Sequence, residues 1–192
     1  MAAIKLLLGV FYFVATGSVN NSKRDLLIPK HRDKQQEINT IGKIRQSIVR
    51  RARLEIGVRE KTGKNDGARV EAYLASVGLK KPEPWCAAFI CWIFAQEGFI
   101  KPKSGWTPDL FPKSRVSSAP LSGNIIGIYC LSKKRIAHVG IIEKMEGDWC
   151  LSIEGNTNVD GSREGDGVYK KRRHQKTIYR ISDWISKGKG GT

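Results

Sequence analysis

The chain has 192 residues, of which 40% are hydrophobic, and a formal net charge of +16 at pH 7. This length allows one domain with a substantial core plus a tail, and the composition excludes a largely unfolded chain. The positive excess is spread along the sequence, which predicts attraction to polyanions: nucleic acid, acidic lipid or anionic cell-wall polymer. Zinc-finger spacings and aromatic RNA-binding signatures are absent.

In chain order, Lys5 precedes an apolar run, Leu6 to Ala15, and the small residues Ala15, Thr16, Gly17 and Ser18 follow. The run is too short to span a bilayer. Its order fits a secretory signal peptide over residues 1–17 and hence export to the periplasm, envelope or exterior. The alternative is an apolar segment packed on the domain. Residues 18–40 are polar with mixed charge and read as a linker or arm. From Ile41 the period becomes helical through Ile44, Ile48 and Ala52, predicting a helix to about Val58. TGKNDG (62–67) is a loop in which Asp66 is placed to cap the next helix, ARVEAYLASVG, ended by Gly78. After the break KKPEP comes an apolar helix, WCAAFICWIFAQEG, stopped by Gly98. Residues 100–123 read as a long surface loop rich in proline and serine.

The second half changes period. NIIGIYCL, IAHVGIIEKM and DWCLSIEG read as three strands joined by tight turns at SKKR and EG. A polar glycine-rich loop, NTNVDGSREGDG, precedes two further strands, VYKKRR and TIYRIS. Helices followed by an antiparallel sheet make an α+β domain, expected over residues 41–185, with a tail at 186–192.

The four cysteines, Cys86, Cys91, Cys130 and Cys150, match no zinc spacing. In an exported protein Cys130 and Cys150 could pair. Cys86 follows Pro84 and Trp85, where a helix would begin. In that first turn the unpaired amides and the helix dipole favour an anion, which lowers a thiol's pKa. Cys91, five positions on, points roughly 140° away, so one cysteine can face a cleft while the other is buried. Taken alone, each reads first as a small core residue, Cys91 more so than Cys86.

A thiolate nucleophile needs a base, and a histidine base needs an orienter. His31 lies in the polar arm and His174 in a charged strand end. His138 opens a half-buried strand and is the one histidine in an apolar setting. The next strand ends in SIEGNTN, where Glu154 follows the apolar Ile153 and is placed to face His138 across the ladder. Asn156, two residues on, is placed to face the same way.

This set resembles the CHAP and NlpC-type cysteine amidases, a papain-like superfamily that mostly cuts peptidoglycan. The matching segments are PWCAAFICWIF, AHVGIIEK and SIEGNTN, and the resemblance covers roughly residues 45–182. It implies a papain-like α+β fold with the nucleophile helix packed on an antiparallel sheet. Carried over by position, Cys86 is the nucleophile, His138 the base and later the acid, Glu154 the orienter and Asn156 the fourth member. The Cys86 amide would meet the oxyanion. The positions that often supply a second donor hold Lys81, Pro82, Glu83 and Pro84, and none matches.

Some relatives bind calcium through an aspartate-rich loop before the cysteine. KNDG (64–67) is too poor in carboxylates for that, so neither metal nor cofactor is expected. Trp85 and Trp106 are candidates for the groove, and Asn65, Asp66 and Arg163 for contact with an acidic stem peptide. The implied function is hydrolysis of an amide bond in peptidoglycan, as endopeptidase or as amidase at the sugar junction, by a monomer without nucleic acid or a stable membrane span. Two other readings stay open: a non-catalytic wall-binding module of the same fold, and a basic nucleic-acid-binding protein.

Overall fold

The computed structural model describes residues 28–159 and 165–186, with side chains from residue 33 onward. The chain divides into two units, 1–37 and 38–192. The signal-peptide expectation and Arg163 lie outside the described residues. The first helix, α1, runs Ile28–Leu54. The expected arm at 18–40 is therefore helical from Ile28, and the helix stops four residues short of Val58. The segment 28–40 lacks an apolar stripe, so periodicity misses it. It is nevertheless rich in Lys, Arg, Gln and Glu, which lose little side-chain freedom in a helix.

Within the second unit, α1 buries Ile48, Val49 and Ala52. It is pinned by Arg45, whose guanidinium is buried against Asp183 (2.7 Å), the Asn124 side chain (2.7 Å) and Ser186 (2.7 Å). At the far end of α1, the buried carboxylate of Glu55 accepts from Arg69 at 2.5 and 2.7 Å and from the Tyr73 hydroxyl at 2.5 Å. Both partners belong to α2, Ala68–Ser76. The expected cap of α2 is absent. Gly67 holds that position, and the Asp66 carboxylate instead accepts from the Thr62 amide (2.9 Å) and hydroxyl (2.8 Å).

Helix α3, Cys86–Gln96, is buried at every position from Cys86 to Phe94. A helix apolar all round has no solvent face and becomes the core. Phe89, Ile90, Ile93 and Phe94 are fully buried, each contributing about 1.5–3 kcal/mol. Tyr73 stacks on Trp85 at 5.5 Å and meets Phe89 and Trp92 edge-on. The chain of contacts Glu55–Tyr73–Trp85 thus fixes where α3 starts.

Six antiparallel strands follow: β1 (Val116–Ser117), β2 (Ile125–Cys130), β3 (Arg135–Glu146), β4 (Trp149–Thr157), β5 (Gly167–His174) and β6 (Arg180–Ser182), in the order β1-β6-β2-β3-β4-β5. The domain is α+β. β1 and two short 3-10 turns lie inside the segment expected as plain loop. Side-chain alternation gives the sheet two faces. Val139, Ile141 and Ile153 join the main core with α3, whereas Ile126, Ile142 and Cys150 form a second, smaller cluster. Gly155 lets α3 approach, because a Cβ there would lie 2.7 Å from both the Phe89 and Trp85 rings. None of the four cysteines is in a disulfide, Cys130 and Cys150 included. No helix among the described residues is long and apolar enough to cross a membrane.

Candidate active site

The site forms where the start of α3 meets the middle strands. Cys86 is the first residue of α3. Its amide and the next two have no carbonyl one turn back within the helix, because the first helical bond is Phe89 N–H to Trp85 O at 2.8 Å. The Trp85 amide donates to Asn156 Oδ1 at 3.1 Å. A strand side chain therefore takes the amide that a local cap would otherwise take.

The Cys86 thiol lies within interaction range of His138, and both residues line one cleft. On the other side of the ring, His138 Nε2 lies 2.7 Å from Glu154 Oε2. With Nε2 committed, Nδ1 is the nitrogen left for the thiol. Continuing the register Ile141↔Ile153 sets Gly140, not His138, opposite Glu154. Glu154 thus reaches His138 diagonally, and it can do so because residue 140 has no side chain. A Cβ on Gly140 would lie 2.6 Å from Glu154 Cγ.

Glu154 is fully buried and carries a full set of donors. Besides His138, it accepts from Ser152 Oγ (2.5 Å), Arg173 Nε (2.6 Å) and Arg173 Nη2 (2.5 Å). The two-pronged guanidinium contact is the strong form of this pairing. Burial would raise the Glu154 pKa, but the bonds from Arg173 and His138 overcome it and bring it down to about 2. Burial likewise opposes charge on His138. The Cys86 thiol and the Glu154 carboxylate outweigh it and hold the imidazole up at about 9. At neutral pH the ring is therefore an imidazolium between a thiol group and a fixed carboxylate. A nucleophile, an acid–base group and an orienter in mutual contact can perform acyl transfer.

A cleft of about 580 Å³ opens on this group and is lined by Cys86, His138, Asn156, Asn65, Tyr129 and Arg173 among others. Of the sequence candidates, Cys86, His138 and Glu154 come together. Asn156 borders the cleft, but its side chain is spent on Trp85, Asn65 (3.0 Å) and Gly165 (3.1 Å), and it holds the helix start in place. Asn65 lines the cleft with its amide tied to Pro82 O.

Trp85 does not line the cleft. It is fully buried, because the α2–α3 packing consumes its ring and Glu60 takes its indole N–H at 2.8 Å. Trp106 is 51% exposed but lies away from the cleft lining, with the Arg135 guanidinium 3.9 Å above its ring. Asp66 is likewise outside the lining, since its carboxylate closes the 62–66 turn. His174 packs edge-on against Trp149.

Sequence reasoning missed Arg173, Ser152, Glu60 and Gly140. Arg173 sits in a run of four basic residues that reads as a solvated face. Gly140 had a signal: a glycine two residues after the strand histidine, on the same face. No group of three or more His, Cys, Asp or Glu side chains able to hold a metal ion forms among the described residues. Comparison with protein-family models, curated proteins and solved structures gives no match to this chain.

Proposed function

We propose that this protein is a papain-like cysteine hydrolase that cuts an amide bond in peptidoglycan. The observation that carries the reading is the convergence on one cleft of Cys86, at a helix start, and His138, whose Nε2 is held by the buried Glu154. In this mechanism the Cys86 thiolate attacks the scissile carbonyl carbon. The oxyanion that forms is met by the free amides at the start of α3. His138, already protonated, gives its Nδ1 proton to the leaving amine as the C–N bond breaks, leaving a thioester on Cys86. The neutral imidazole then takes a proton from water, whose oxygen attacks the thioester and frees the carboxylic acid and Cys86. Glu154 keeps Nε2–H directed at itself throughout and offsets the charge on the ring.

The polymer class follows from the resemblance of PWCAAFICWIF, AHVGIIEK and SIEGNTN to the CHAP and NlpC-type enzymes and from charge. A chain of net charge +16 adsorbs to a wall rich in carboxylates. An exported enzyme suits that substrate. The test is incubation of the protein and its Cys86→Ala variant with purified peptidoglycan, with mass spectrometry of the soluble products. Fragments from the wild type alone support the reading, and their masses identify the bond. Absence of fragments from both, with equal co-sedimentation, rejects it and favours a wall-binding module.

A further inference from the structure

Among the described residues, the charges that line the cleft are one-sided. Among the described residues that line it, Lys133, His138 and Arg173 are ionisable bases and none is acidic. The one carboxylate at the centre, Glu154, is fully buried behind His138 and neutralised by Arg173. Lys133 projects from the exposed turn joining β2 to β3 and makes no ion pair or hydrogen bond among the described residues. Arg173 spends Nε and Nη2 on Glu154, which leaves Nη1 over on a side chain that borders the cleft. Ile128 and Tyr129 of β2 also line the cleft and add an apolar surface.

We propose that Lys133 and the free edge of Arg173 form a subsite for a carboxylate on the substrate, close to the scissile amide, and that Lys133 determines this specificity. A lysine that lines a cleft with neither an ion-pair partner nor a counter-charge among the described residues favours an anion there, and low-dielectric walls strengthen that preference. The ligand class is a short peptide with a free side-chain or terminal carboxylate and an aliphatic part that lies on Ile128 and Tyr129. Amidation of that carboxylate removes the favoured charge. The proposal rests on the amide-hydrolase reading for what is bound, but its test does not depend on turnover.

The experiment uses the full chain carrying Cys86→Ala. Its binding to two soluble peptidoglycan stem peptides is measured by calorimetry at 0.15 M salt. The peptides are identical except that one bears free carboxylates and the other carboxamides. The expected result is a preference for the free acid of up to about fivefold, the upper end of the range of an exposed ion pair. Lys133→Gln should abolish it, while Lys103→Gln, the same charge change outside the cleft lining, should leave it. Equal binding of the two peptides, a preference that survives Lys133→Gln, or no binding of either at millimolar concentration overturns the subsite. Turnover by the wild-type chain is read separately. Hydrolysis without a carboxylate preference rejects the subsite alone, and a Lys133-dependent preference without hydrolysis rejects the enzyme alone.

Discussion

His138 and Glu154 are joined by a 2.7 Å bond between Nε2 and a carboxylate with no solvent exposure. The carboxylate compels Nε2 to carry a proton, so Nδ1 faces the thiol in one tautomer. Glu154→Gln keeps the shape and removes the charge. Under the proposed function, peptidoglycan hydrolysis should fall by about two to four orders of magnitude, in line with orienter losses in comparable triads. The check is kcat/KM on soluble wall fragments, with circular dichroism to show that the variant folds.

The same pair sets a pH dependence of stability. The folded pKa of His138, about 9, lies above its ordinary value near 6.5. Its stabilisation is therefore complete below about pH 6.5 and is lost as pH rises through 9. Glu154 works in the opposite sense. Its pKa of about 2 lies below the ordinary 4.5, so its contribution is present above that value and is lost as pH falls toward 2. Stability should form a plateau near pH 4.5–6.5 and decline on the alkaline side by an amount on the order of 2–3 kcal/mol. Urea unfolding at pH 6 and pH 9.5 measures this, and the alkaline decline should be largely absent from His138→Gln. Hydrolysis should lose its general acid over the same alkaline range.

Gly140→Ala places a methyl 2.6 Å from Glu154 Cγ, inside any real contact distance. The carboxylate must shift away from His138. Overpacking of this kind costs about 1–3 kcal/mol, and activity should fall at least tenfold. Gly42→Ala is the control, since a Cβ there meets nothing within 4 Å inside α1. That change should raise stability by up to about 1 kcal/mol. Thermal melts and fragment release on both variants separate the two effects.

Arg173→Met removes both guanidinium bonds to Glu154 and leaves a buried carboxylate with only His138 and Ser152. Breaking one side of a buried pair costs about 3–5 kcal/mol. Arg173→Lys restores charge without the two-pronged geometry and should recover part of the stability but little of the activity, because the carboxylate can then rotate. Denaturant melts beside kcat distinguish this from a merely structural role, in which both would recover together.

Much of this was open to reading in the one-dimensional pattern. The 3.6-residue spacing of Ile44, Ile48 and Ala52, the apolar run of α3 and the alternation in β2, β3 and β4 follow from local burial, which sequence encodes directly. So does the pairing of His138 with Glu154, because a tight turn joins β3 to β4; Cys86 is joined to them by a long connection and was grouped with them by residue chemistry and by the resemblance. The polar first half of α1 was not legible, since it is helical without the apolar stripe that periodicity detects.

What the tertiary structure alone decided is which groups complete the site. Trp85 looked like a groove residue and is wholly buried, because stacking on Tyr73 and a bond to Glu60 depend on how α2 meets α3. Arg173 looked like one charge in a solvated run. The pairing of β4 with β5, Cys150↔Arg173 in register, brings it onto the face that carries Glu154. Residue chemistry and short-range spacing are properties of the chain itself. The placing of Arg173 on Glu154 joins residues 19 positions apart through strand register, and register is settled only when the whole sheet chooses which face to bury.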